Sequence, residues 1–132
     1  MTTYEELADL YLVPWEDYAQ AEFPRAVMMA HIALPNVDPS GVPSTYSKIL
    51  IQDYLREKLG FDGLVITDDL EMAGATPGDD IGEHAVQAFL AGNDMLLLAG
   101  VGARQKQAFN KVLEAVRSGR VSETSAPGVV FS

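Results

Sequence analysis

Apolar positions along the chain follow two rhythms. Short, mainly apolar runs at Ala26 to Ile32, Leu64 to Thr67 and Met95 to Leu98 alternate with longer segments where apolar residues recur every three or four positions. A short β-branched and aliphatic run between turn formers reads as a parallel strand covered on both faces, and the slower rhythm reads as an amphipathic helix. Helices are therefore predicted from about Lys48 to Leu59, Ile81 to Leu90 and Ala103 to Ser118, with Gly60, Gly92 and Gly119 stopping them. In the last of these, Ala108, Val112, Leu113 and Val116 form the apolar stripe. Before the first strand, Thr3 and Glu6 have capping-box spacing and open a short helix with Leu7, Leu10 and Tyr11, and Pro14 begins a second helical piece holding Trp15 and Tyr18. Pro35, Pro39, Gly41 and Pro43 make a turn-filled loop, after which Ser44 or Ser47 caps the next helix. Strands that start at 26, 64 and 95, each followed by a helix, have the period of parallel βαβ construction. The expectation is an α/β fold of three consecutive parallel strand-helix units.

The second strand runs directly into two carboxylates, Asp68 and Asp69. Ligands collect at the carboxyl ends of strands in open α/β sheets and in α/β barrels, so an acid placed there is a site candidate. The alternative is an acid that caps the next helix or sits in a turn. Side chains alternate along a strand, so Asp68 is expected on the side of Leu64 and Ile66, and Asp69 on the other. A carboxylate nucleophile has to be ionised when it attacks, which calls for donors around it, and Thr67 is one candidate donor. Asp69 is expected to turn towards the following segment, accept backbone N–H groups or pair with a base, and support rather than react. Met72 is read as a packing residue, with pocket lining as the other possibility.

The string FDGLVITDDLEM, preceded by VMMAHIALPNVDPSGVPSTYSKILIQDYLREKLG, resembles the carboxyl-terminal part of the catalytic barrel of glycoside hydrolase family 3, in its β-N-acetylhexosaminidase branch. The likeness runs from about Tyr4 to Val121 and rests on features in order: the His of AHI, the DPSG turn, the helix ending in LGFDG, then TDDLEM. It implies retaining hydrolysis of terminal β-linked N-acetylglucosaminides, including peptidoglycan fragments met in wall recycling, with Asp68 as nucleophile and no cofactor. The β-glucosidase branch usually carries Trp after its nucleophile, where this chain has Asp69. By this resemblance residues 1–122 are the last three of the eight units of a (β/α)8 TIM barrel, incomplete in this chain, and residues 123–132 are a flexible tail. The branch takes its acid/base from a His-Asp dyad in a KHFPGHGD-like motif, and this sequence contains no such motif. Its histidines are His31 and His84. His31, at the end of the first strand, either lines the sugar pocket or is a satisfied core residue, and His84 is a surface or packing residue. The family's Lys-His and Arg contacts to the sugar would also lie outside this stretch, so no appreciable hydrolysis is expected from the chain alone. Three parallel strands cannot close a barrel, so a homo-oligomer, or amino-terminal units supplied elsewhere, is expected to cover the edges.

Composition narrows the field. Nineteen acidic against nine basic residues give a formal charge of −10, which argues against nucleic acid and against an anionic membrane surface. The run from Met95 to Val101 is far shorter than the roughly 20 apolar residues that span a bilayer. With no cysteine there is no disulfide framework and no thiolate metal site, and the start of the chain lacks the basic and apolar pattern of a signal peptide. A cytoplasmic location is expected, with a secreted parent protein left open. Weaker constellations are Asp79, Asp80 and Glu83 as a cation cluster, Gly100-Val101-Gly102 as a phosphate cradle, and Trp15, Tyr18 and Phe23 as a sugar-stacking set. Each has a simpler reading as helix-start chemistry, a connection or core. Two further functional classes stand beside the glycosidase: a non-catalytic half-barrel that oligomerises or binds a partner, and a receiver-like domain in which Asp68 and Asp69 hold magnesium.

Overall fold

Two short parallel strands carry the fold. In the computed structural model, which describes residues 4–6, 11–22, 25–75, 80–100 and 102–121, β1 (Ala26–Met29) pairs with β2 (Leu64–Thr67) in a register that sets Ala26 opposite Leu64 and Met29 opposite Thr67. Gly63 fixes where β2 begins. A Cβ there would stand 2.5 Å from the Arg25 carbonyl oxygen and 2.6 Å from the Phe61 ring, so no larger residue fits between the strand entries.

Helices accompany this sheet. In chain order they are α1 (Tyr4–Glu6), α2 (Val13–Ala19), a π helix (Ile49–Lys58), α3 (Ile81–Ala91) and α4 (Gly102–Arg117). The segment expected to be an α-helix from Lys48 is thus wound more widely, and Leu59 closes it by donating its N–H to the Tyr54 carbonyl, five residues back, at 2.9 Å. Ser47 accepts the Leu50 N–H at 3.2 Å and so serves the start of that helix. Asp80 caps α3 by accepting the Glu83 N–H, and Gly92 ends it with φ at 113°. The Thr3 cap, Leu7, Leu10, Phe23, Asp79, Val101 and the 123–132 tail lie outside the described residues.

Two apolar clusters form the core. One joins the inner face of the sheet to the π helix and α2 through Val27, Val65, Ile51, Tyr54, Leu55 and Phe61. The other sits between α3 and α4, built on Ile81, Val86, Phe89, Ala108, Val112 and Val121. Val65 and Thr67 are fully buried while Leu64 is 37 % exposed, so β2 turns alternate residues inwards and outwards. On the outward face Met28 and Met95 are 51 % and 49 % exposed. The expectation of strands covered on both sides is therefore corrected: within the described residues only one face is covered.

The third strand, expected at Met95 to Leu98, is also corrected. That segment does run parallel beside β2, with a single bridge between Ile66 and Met95, and the Thr67 N–H donates to the Met95 carbonyl at 3.1 Å. At the next rung the Leu97 N–H goes to the Thr67 hydroxyl oxygen at 2.9 Å in place of a main-chain carbonyl. A side chain has taken a ladder position, so the regular pattern stops after one rung. The described sheet has two strands, and three strand-helix units are not what it displays. β1 likewise ends at Met29 rather than Ile32, because the chain then folds back so that Ala33 bridges Pro43.

Candidate active site

Asp68 lies one residue past β2, where the pairing is still in force: its N–H donates to the Met29 carbonyl at 3.0 Å. By alternation its side chain shares the uncovered face with Leu64 and Ile66. The carboxylate is partly exposed, and its Oδ1 accepts the N–H of Asp69 at 2.8 Å. A carboxylate holds about four acceptor sites, so this leaves most of its capacity turned to the open side.

Asp69 is a junction. Its Oδ1 accepts the Glu71 N–H at 3.0 Å and the Ala99 N–H at 3.2 Å, which ties the loop after β2 to the segment after Met95. Its carbonyl oxygen accepts the Met72 N–H at 3.0 Å and lies 2.9 Å from His31 Nε2. The other ring nitrogen of His31 is 2.8 Å from the hydroxyl of Thr45, a buried residue whose Oγ1 also reaches the Met29 and Ala30 carbonyls at 3.1 Å. Both ring nitrogens of His31 are thus engaged within the chain. Thr67, considered as a donor to Asp68, instead accepts from Leu97 on the buried side. Met72 is 47 % exposed, and its main chain belongs to the junction.

Three side chains that the sequence reading passed over brace this arrangement. Glu71 accepts the Gly100 N–H at 2.5 Å and pairs with Arg104 at 3.0 Å, so at Gly100 the chain's own carboxylate takes the N–H that a phosphate would use. Asn93 is buried and donates to the Thr45 and Ala88 carbonyls, holding the turn that carries Thr45. Asp38, also buried, accepts from the hydroxyls of Ser40 and Ser47, and these bonds hold its carboxyl below the usual carboxylate range. Only the DPSG turn around Asp38 carried a sequence signal.

The weaker constellations separate. Asp80 is spent on the α3 cap and Glu83 on Arg120, whose guanidinium, ahead of the Gln87 amide, holds the Glu83 carboxyl down at about 2. No group of three or more His, Cys, Asp or Glu is set to hold a metal among the described residues. Trp15 and Tyr18 meet edge to face, and the Tyr18 hydroxyl bridges the N–H and carbonyl of Ala26 on the outer edge of β1. His84 lies against the Tyr46 ring in α3.

The family model described as "Glycosyl hydrolase family 3 N terminal domain" matches residues 1–129. The chain belongs to glycosyl hydrolase family 3. It is 38 % identical over 89 residues to a beta-hexosaminidase of Idiomarina loihiensis, covering 67 % of this chain and 26 % of that protein. With the beta-hexosaminidase of Aromatoleum aromaticum the identity is 46 % over 72 residues, or 54 % of this chain and 20 % of that one. Among solved structures, a family 3 beta-N-acetylglucosaminidase from Paenibacillus superposes with a TM-score of 0.88 at 42 % identity, covering 94 % of this chain and 23 % of its own. The beta-N-acetylglucosaminidase of Thermotoga maritima gives 0.85 at 31 %, over 94 % of this chain and 27 % of that one. The family 3 chain in hand therefore spans about a quarter of the length of such relatives, and its fold is part of the TIM-barrel-like α/β domain of that family.

Proposed function

We propose that this chain carries the nucleophile of a retaining β-N-acetylhexosaminidase, and that the nucleophile is Asp68. What supports the reading is one observation: a partly exposed carboxylate at the carboxyl end of β2, on the sheet's open face, whose adjoining peptide is bonded on every side while its outer lone pairs are not. In the step proposed, an Asp68 oxygen attacks the anomeric carbon of a terminal β-N-acetylglucosaminide, the glycosidic bond breaks, and the leaving oxygen takes a proton. Water then cleaves the glycosyl ester. A retaining pair needs its proton donor about 5 to 5.5 Å from the nucleophile. His31, the imidazole bonded to the Asp69 carbonyl, is committed to Asp69 and Thr45, so the donor is assigned to the amino-terminal part of the family's barrel, and unactivated glycosides are not turned over by the chain alone.

The test joins the chain to the amino-terminal portion of a relative such as the Paenibacillus enzyme and treats the product with a 5-fluoro N-acetylglucosaminyl fluoride. Fluoride leaves without a proton donor, so the reagent reads the nucleophile alone. Mass spectrometry of the digest is expected to find one glycosyl adduct on Asp68, lost in Asp68→Asn. An adduct on Asp69, or none between Leu64 and Met72, overturns the assignment.

A further inference from the structure

The geometry points to His31 as a positioning residue for Asp68, acting through the Asp69 peptide. The proposal rests on Asp68 being the nucleophile, but its structural content stands on separate contacts. A carbonyl oxygen only accepts, so the 2.9 Å contact from His31 Nε2 to the Asp69 carbonyl requires the hydrogen on Nε2. The other ring nitrogen, Nδ1, lies 2.8 Å from the hydroxyl oxygen of buried Thr45, whose single hydrogen is also within reach of the Met29 and Ala30 carbonyls at 3.1 Å. The ring is therefore a strut between a buried anchor on the Ser44–Tyr46 turn and the residue after the nucleophile.

Asp69 is the place where such a strut has an effect. Its N–H is the donor to Asp68 Oδ1, its carbonyl is held by His31 and Met72, and its carboxylate is held by Glu71 and Ala99. With the carbonyl and the side chain both restrained, the N–H stays aimed at Asp68, and one carboxylate oxygen is fixed while the other is left for attack. Gly74 lets the loop close over the strut, since a Cβ there would come within 3.3 Å of His31 Cβ. The histidine thus holds the nucleophile's orientation through the Asp69 peptide.

Glutamine and asparagine separate this role from packing, because the Gln amide nitrogen reaches the place of Nε2 and the Asn nitrogen only that of Nδ1. In amide hydrogen exchange on the chain as it is, protection of the Asp69 N–H is expected to fall at least about tenfold in His31→Asn and His31→Leu, and to stay within about twofold of the parent in His31→Gln. The Ile51 N–H, bonded to Ser47 at 3.1 Å in the core, serves as the control and stays unchanged. Equal loss in all three variants, or loss in none, overturns the proposal. The unsubstituted protein gives an independent check: nitrogen-15 spectra of its imidazoles should show hydrogen on His31 Nε2, and a neutral ring protonated at Nδ1 alone refutes the strut. Neither measurement uses a sugar. An adduct away from Asp68 in the labelling experiment would remove the nucleophile reading while leaving the His31 result intact.

Discussion

Single residues show where charge is held in this acidic chain. Asp38 is buried and accepts from Ser40 Oγ at 2.6 Å, the Ser40 N–H at 3.0 Å and Ser47 Oγ at 2.5 Å. Asp38→Ala strands the buried Ser47 hydroxyl and is expected to cost about 1–3 kcal/mol in urea unfolding, with Asp38→Asn costing less because the serine hydroxyls can reverse towards its amide. Glu83 differs, since its partner Arg120 is on the surface. With its folded value lowered from 4.5 to about 2, it contributes stability that is fully present above pH 4.5 and is lost as pH falls towards 2. In unfolding curves taken across that window, the gap between the parent and Glu83→Gln should close as the pH drops. Asp38, lowered from 3.8, adds loss in the same direction. The sequence marked Asp68 and Asp69 as a strand-end pair, but beside their local bonds they are held by residues 30 positions away or more in each direction, such as Ala99 and His31. No local pattern encodes such contacts.

Among the elements, β2 was legible to the residue, Leu64 to Thr67, because its aliphatic run is bounded by Gly63 and Asp68. α3 and α4 appear within a residue of their predicted limits for a similar reason, since a cap and a glycine punctuate the helical rhythm. The Met95 segment was misread because its apolar run looks like a strand while its partner presents a hydroxyl. Thr67→Val keeps the shape and removes the acceptor, which leaves the Leu97 N–H unpaired. That change is expected to destabilise the chain by about 1–2 kcal/mol and to speed exchange at Leu97, with Thr67→Ser restoring most of both. The π winding from Ile49 to Lys58 was equally invisible, as its residues carry an ordinary amphipathic pattern.

At the scale of the molecule, the outward face of the sheet carries Met28, Leu64 and Met95 towards solvent, and it adjoins a mainly apolar cavity of about 330 Å³ along β1 that Trp15, Met28, Leu34 and Tyr54 help to line. In a solution of this chain alone, another copy is the one apolar surface on offer, so light scattering is expected to report species larger than a monomer. Met28→Asp should shift the distribution towards the monomer, and an unchanged monomeric profile in the parent would count against association through this face. The relatives, about four times as long, have further chain to set against the corresponding surface. By itself the sequence determined the family, the α/β order of elements and the pair of acids at a strand end, because periodicity, punctuation and a contiguous motif are local properties. Only the tertiary structure decided that the third segment pairs through a hydroxyl and that one sheet face is open. The same holds for the inward brace of His31 on Asp69, because each of these depends on atoms that meet across dozens of residues of chain.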